Sequence, residues 1–359
     1  MKAIQVSDYG SASNLCLNDD VPKPSTIPKN KILIKTEAVA LAPGDVRTLS
    51  GRTKELQGPS SFPYIPGGDA CGIVVDMGSC QPNDVGFDVG DRITARFDGY
   101  PLGALGEFAL VSISMCGKVP DEVSSVDAVA LASSATIALS LSKRINKGER
   151  VLVLGAGGGV GSHLCQILRL RYIDVAGVSS DKDRLLKAPF YCNEALDYSE
   201  QDPLTYQPWK DKPFDVIVDL ASGSWTPLLD LQSKGEKLII KPASEGGRFL
   251  TTSLDEGWYD LHGILPALKK FLLIPLWRAS YSRFSLTSRK ALPAFTFAMS
   301  LDNDLNIMKD TLQMAKEGQL QASVDKRGPF SFTTTGVREA FRLQESRHVK
   351  GKVVIDFKL

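Results

Sequence analysis

The apolar positions change rhythm partway along the chain. Up to about residue 125 they come in short runs, 31–41, 72–76, 92–97 and 107–111, separated by clusters of Gly, Pro, Asp and Asn. Runs of that length between turn formers predict strands. Their spacing suits a compact barrel or sandwich better than alternating strand–helix units. The opening Met-Lys-Ala-Ile-Gln-Val reads at once as a strand, with neither a signal-peptide core nor an Arg/Ser-rich transit character. Beyond Ser125 the period lengthens. Residues 127–145 carry apolar positions at helical spacing. A short β-branched run at 151–154 then precedes a glycine cluster and a helical pattern at 162–172. A second run, 175–178, precedes helical 181–187, and further runs follow at 214–220 and 248–252. Such alternation predicts a parallel sheet. Residues 303–317 are again helical up to Gly318, and 352–357 alternate as a closing strand.

At 359 residues the chain exceeds one ordinary core. The expected division is a β-rich domain over 1–126, completed by 300–359, and an α/β domain over 127–299 with an insert near 261–297. With 43% hydrophobic and 23% charged residues, the composition excludes dominant disorder, collagen and coiled coil. Lys and Arg total 42 against 41 Asp and Glu, so no bulk field recruits nucleic acid or an anionic membrane. Six cysteines without a CxxC pair make no disulfide framework, and three histidines make no metal-ligand cluster of usual spacing. No uncharged apolar stretch reaches membrane-span length. The expected location is the cytoplasm, or an organelle if a leader has been removed.

The segment Val-Leu-Val-Leu-Gly-Ala-Gly-Gly-Gly-Val-Gly, residues 151–161, carries the clearest chemistry. It follows a strand pattern and opens a helical one, the context that a dinucleotide-binding turn requires. Glycines there let the backbone approach a pyrophosphate, and the helix amino terminus presents unpaired N–H groups and partial positive charge. Gly157, Gly158, Gly159 and Val160 are the candidate contacts. In NAD-binding folds an acid about 20 residues on holds the ribose 2′-hydroxyl. Here the second strand ends in Ser179 and Ser180, with Lys182 just beyond. Hydroxyls and a cation suit a 2′-phosphate, so the expected cofactor is NADPH. Asp181 and Asp183 fit as first-turn acids of the next helix.

These residues, with Phe62-Pro-Tyr-Ile-Pro-Gly-Gly-Asp69, Val89-Gly-Asp-Arg92, Gly106-Glu-Phe108, Leu131-Ala-Ser-Ser-Ala-Thr136, Leu196-Asp-Tyr198, Phe214-Asp-Val-Ile-Val-Asp219 and Gly351-Lys-Val-Val-Ile355, resemble the medium-chain dehydrogenase/reductase family. The resemblance spans nearly the whole chain and is to the zinc-free, quinone oxidoreductase-like branch. Ala298-Met-Ser and His348-Val-Lys-Gly-Lys are similar to the reticulon-interacting and chloroplast-envelope homologues. The resemblance implies a GroES-like β-rich catalytic domain plus a Rossmann doubly wound parallel sheet. It implies hydride transfer from NADPH to a small quinone or an α,β-unsaturated carbonyl; an enoyl thioester, or an adaptor role with little catalysis, is the alternative. It also implies a nicotinamide or phosphate role for Thr136 and a nucleotide contact for Tyr198. Zinc-dependent members carry Cys and His where this chain has Asp45 and Gly68, so no metal site is expected. The family often has Asn before the Pro of the strand-end loop and sometimes Tyr four residues after it; here Ala42 and Arg47 stand there. Arg47 is the candidate oxyanion stabiliser and Tyr64 the fallback donor.

Residues 261–297 are apolar and then basic, with Pro266 and Pro275 expected to break any long helix. Apolar plus basic is the pattern of a membrane-surface element. The balanced overall charge and the interrupting prolines favour instead a cleft wall or the interface of a homodimer.

Overall fold

The computed structural model describes residues 1–80, 85–96, 103–256, 260–261, 263–298 and 305–359. Met299 and Ser300, which carry part of the resemblance, and His262, one of the three histidines, lie outside them. Contacts divide the chain into two units, Met1–Ile137 with Asp302–Leu359, and Ala138–Leu301.

The first unit is built on the long strand Lys31–Leu41. It pairs antiparallel with Asp69–Asp76, with Phe108–Ser112 and with the closing strand Val353–Asp356. Register shifts between Leu33 and Ile34 and between Thr36 and Ala38 mark bulges. Bulges of this kind bend a strand and let it serve several partners along its length. Arg92–Ala95, Cys116–Lys118 and Phe330–Ser331 complete a seven-stranded sheet. Helix Ser125–Ser142 is apolar all round, and Ala128, Val129, Ala130, Leu131 and Ala135 are fully buried, which makes it a core helix. Ser134 satisfies its hydroxyl one turn back, donating to the Ala130 carbonyl at 2.5 Å. Helix Leu305–Lys316 packs so close to Cys116–Lys118 that a Cβ on Gly117 would lie 2.9 Å from Met308. Helix Thr334–Glu345 starts at the Thr333 hydroxyl, which accepts from the Gly336 N–H at 3.1 Å.

The second unit is a six-stranded parallel sheet. In spatial order the strands are Glu194–Leu196, Asp174–Val178, Arg150–Leu154, Val216–Asp219, Arg248–Thr251 and Ala294–Phe297. This is the 3-2-1-4-5-6 order of the doubly wound dinucleotide fold, whose ligands bind beyond the carboxyl ends of the strands where the order reverses. That reversal lies between Arg150–Leu154 and Val216–Asp219. Trp209, Phe214, Trp225, Phe249 and Phe295 fill the core around the sheet. Neither Glu194–Leu196 nor Ala294–Phe297 was legible: the first is three residues long and begins with an acid, and the second lies in the basic insert.

The insert corrects a second expectation. Pro266 and Pro275 do not break the helix. Ile264–Leu268 runs through a π-turn, Lys269–Leu273, into Ile274–Phe284 with helical backbone at both joins. Pro266 sits in the first turn, where no intrahelical N–H is needed. The π-turn immediately before Pro275 shifts the hydrogen-bond ladder at the point where proline withholds its donor.

Candidate active site

At the end of Arg150–Leu154, Gly155 turns the chain with φ of +80°, which its lack of a side chain permits. Ala156 N–H donates to the Val178 carbonyl at 3.0 Å, and Gly158 N–H to the Gly155 carbonyl at 3.1 Å. Gly158 then caps helix Gly159–Leu170. The glycines have different reasons to be glycine. A Cβ at Gly161 would lie 2.2 Å from the Gly155 oxygen, and one at Gly157 would lie 2.3 Å from the Ser179 Oγ. Internal packing therefore requires both. At Gly158 the nearest atom would be 3.5 Å away, and its backbone is extended with φ of −78°. Nothing in the protein needs glycine there, and a side chain would fill only the space beside the turn. The first-turn N–H groups of Gly159, Val160 and Gly161 have no carbonyl within the helix to reach. This cradle at a helix amino terminus, beside the reversal in strand order, fits a dinucleotide pyrophosphate.

The neighbouring strand end carries the selectivity candidates. Ser179 is buried; its hydroxyl accepts from the Asp181 N–H at 3.2 Å, and its own N–H donates to the Leu196 carbonyl at 3.1 Å. Ser180 is exposed. Asp181 caps helix Lys182–Leu185 by accepting from the Arg184 N–H at 3.3 Å. Lys182 forms an ion pair with Glu200, and that hydrogen bond raises its pKa above the usual lysine value. Tyr198 is exposed on the loop leading to Glu200. The pair thus joins the Ser180 turn to the Tyr198 loop. Glu200 has no motif around it, so sequence reasoning missed an anion beside the proposed phosphate position. Lys182→Ala is expected to weaken NADPH binding about tenfold and leave NADH unchanged, a charge-assisted contact being lost. Titration calorimetry with both cofactors checks it, and equal effects on the two would remove Lys182 from the site.

Asp219 closes Val216–Asp219 and is buried. Its carboxylate accepts from the N–H groups of Ala221, Ser222 and Ser224 at 3.0, 3.1 and 3.0 Å, while burial pushes its pKa up. It shapes the loop in which Ser222 and Gly223 take positive φ, and Gly155 packs against that loop at Ala221.

The first unit holds a polar cluster that the sequence did not announce. Asp69, buried, accepts from the Ser133 hydroxyl at 2.6 Å and pairs with the buried Lys352 ammonium at 3.2 Å. Arg96 is buried as well; burial lowers its pKa and the Asp69 charge partly restores it. Asp45 accepts from the Ala42 N–H at 2.8 Å and so orders the first turn of helix Pro43–Leu49. Burial raises its carboxyl to about 6; Asp69 adds to the rise, and the Ala42 N–H and Lys352 oppose it. Tyr64 is buried, and among the described residues its hydroxyl has no hydrogen-bond partner. Burial first, then Asp45 and Tyr9, push its pKa up, so the phenol keeps its proton. Arg47 lies on the helix of Asp45, half-buried.

Tyr64 and Asp45 are therefore electrostatic neighbours, and Asp45 in turn senses Asp69 and Lys352. The available signals were charged residues at the edges of apolar strands, Asp69 opening one and Lys352 preceding another. Thr136 differs from a free donor. Its hydroxyl donates to the Ala132 and Ser133 carbonyls, both at 2.8 Å, so only its lone pairs remain. Lone pairs can meet a carboxamide N–H but repel a phosphate oxygen.

Residues 28–121 match the alcohol dehydrogenase GroES-like domain family, and residues 192–355 match the zinc-binding dehydrogenase family. The chain is 30% identical over 250 residues to a quinone oxidoreductase of Mus musculus, covering 67% of this chain and 72% of that one. It is 26% identical over 365 residues to an NADPH-dependent alkenal/one oxidoreductase of Arabidopsis thaliana, covering 99% of this chain and 79% of that one. The fold is similar to that of the Escherichia coli quinone oxidoreductase complexed with NADPH, with a TM-score of 0.73 at 18% identity, covering 99% of this chain and all of the other.

Proposed function

The chain belongs to the medium-chain dehydrogenase/reductase family, in its quinone oxidoreductase-like branch, and from that premise we propose that it is a zinc-independent reductase that uses NADPH to reduce a quinone or an α,β-unsaturated carbonyl. The cradle at Gly158, open where Gly157 and Gly161 are closed by packing, is the observation that carries the reading. The relatives' names, quinone oxidoreductase and NADPH-dependent alkenal/one oxidoreductase, support the same chemistry.

In this reading the N–H groups at the start of helix Gly159–Leu170 hold the pyrophosphate. Ser179, Ser180 and Lys182 face the 2′-phosphate, and Tyr198 offers a ring for the adenine. NADPH, when bound, supplies the hydride. The chain's own residues then stabilise the negative charge on the reduced carbonyl oxygen. Asp45 and Gly68 stand where zinc-dependent relatives have soft ligands, so that stabilisation falls to hydrogen-bond donors. Arg47 is assigned that role, and Tyr64 is the second donor.

A preorganised donor of this kind contributes roughly 2.7–4 kcal/mol to the transition state. Arg47→Ala is therefore expected to lower kcat by about two orders of magnitude with NADPH affinity nearly unchanged. Tyr64→Phe is the paired control, expected to leave kcat within a few-fold. If Tyr64→Phe is the damaging change, the phenol is the donor and the roles are inverted. The proposed activity itself is tested by NADPH consumption across a panel of quinones and short enones, with a strong chelator present. Turnover of either class supports the reading. NADPH-induced thermal stabilisation without turnover of any acceptor would overturn it in favour of a cofactor-binding adaptor.

A further inference from the structure

We propose that the helical segment Ile264–Phe284 is a membrane-docking element that seats on the surface of an anionic lipid bilayer. The segment is apolar on two faces, and the protein covers only one of them. The inner stripe, Ala267, Pro275 and Ser282, is buried. It is fastened down by polar contacts. The Ser282 hydroxyl accepts from the Phe295 N–H at 2.9 Å, Arg278 holds Asp255 through two bonds of 2.8 and 2.5 Å, and Lys270 pairs with Glu256 at 2.9 Å. The outer face carries Leu265, Leu272, Leu273, Leu276, Trp277 and Phe284, all exposed, with Leu265 at 78% and Phe284 at 80%. A helix apolar all round is stable only where both faces are covered. A contiguous apolar surface of this extent marks an interaction site.

The charge pattern selects the occupant. From residue 261 to 301 the sequence contains no Asp or Glu, but it contains Lys269, Lys270, Arg278, Arg283, Arg289 and Lys290. In a chain of net charge +1 this is a concentrated local excess. Two acids that face the segment, Asp255 and Glu256, are already engaged by Arg278 and Lys270. A second copy meeting the same face would set cations against cations, with no acid on the segment to relieve them. An anionic bilayer offers the complementary charge and, below its headgroups, apolar depth for the leucines. Trp277 and Tyr281, stacked at 5.2 Å between ring centroids, supply the amphipathic rings favoured at headgroup level. This placement is independent of which acceptor the enzyme reduces.

The test is flotation of the full-length protein with phosphatidylcholine vesicles, with and without phosphatidylserine. Binding is expected with phosphatidylserine only, and it should weaken as salt rises. Leu273→Gln with Leu276→Gln should reduce partitioning at least tenfold, and Lys269→Gln about fivefold, the weight of one basic residue near an anionic surface. All three positions are exposed, so the unfolding midpoint should not move. A vesicle-induced blue shift of tryptophan emission should vanish in Trp277→Phe. Absence of vesicle binding, binding that survives these changes, or a blue shift that persists in Trp277→Phe would overturn the proposal. So would a concentration-dependent dimer that the leucine changes dissolve without any vesicle binding, which would assign the face to a second copy.

Discussion

Gly158→Val is expected to yield a folded protein without measurable NADPH affinity, the largest functional effect among single changes at the nucleotide turn. The expectation rests on Gly158 being a glycine of the turn that internal packing does not require. Its φ of −78° suits any L-residue, and its Cβ would meet ordinary contact distance. Valine there protrudes only into the space where a pyrophosphate must approach the backbone. Gly157→Val and Gly161→Val make poor tests by comparison. Each places a β-carbon on an existing oxygen at 2.3 or 2.2 Å, so lost binding could not be separated from lost packing. Titration calorimetry beside a thermal unfolding curve decides the matter. Unaltered NADPH affinity in a folded Gly158→Val protein would remove the phosphate site from this turn.

Lys352→Met is expected to be strongly destabilising, costing about 3–5 kcal/mol, because it removes the buried ammonium that pairs with the buried Asp69 carboxylate. The pair joins residues 283 positions apart, and Ser133 adds a third attachment from helix Ser125–Ser142. Its loss therefore loosens the closing strand, strand Asp69–Asp76 and the core helix together. The double change Asp69→Leu with Lys352→Met should recover part of the loss, since it removes both charges of the pair, and the remainder measures what the buried Arg96 cation loses when the Asp69 charge goes. Denaturant unfolding of the four proteins completes the cycle. A single-mutant cost below about 1 kcal/mol would mean that water reaches Asp69 and that the pair is not a structural tie.

Much of the architecture was legible along the chain because it follows from local periodicity. The run at 31–41 is the strand Lys31–Leu41, and the helical pattern at 127–145 is the core helix Ser125–Ser142. The strand–glycine–helix order at 151–172 is Arg150–Leu154, the turn and Gly159–Leu170. Where the structure departs from expectation, a neighbour distant in sequence intervenes. Ala294–Phe297 is a strand because Arg248–Thr251 offers it a parallel edge, although its own residues sit in a basic insert. The prolines at 266 and 275 do not end a helix, because a π-turn and a first-turn position absorb them.

The sequence by itself determined the family, the doubly wound sheet, the GroES-like unit and the glycine turn. Strand periodicity, turn chemistry and the need for a bare backbone near a phosphate are all properties of adjacent residues. Only the tertiary structure decided which glycine is free to report on the ligand, which hydroxyl is already engaged, and which carboxylate is buried beside which lysine. It also decided that the outer face of Ile264–Phe284 lies uncovered. Each of these depends on what a residue meets from elsewhere in the chain. Burial and charge pairing act through space, and the distance between Asp69 and Lys352 along the sequence carries no trace of the 3.2 Å that separates their charges in the fold.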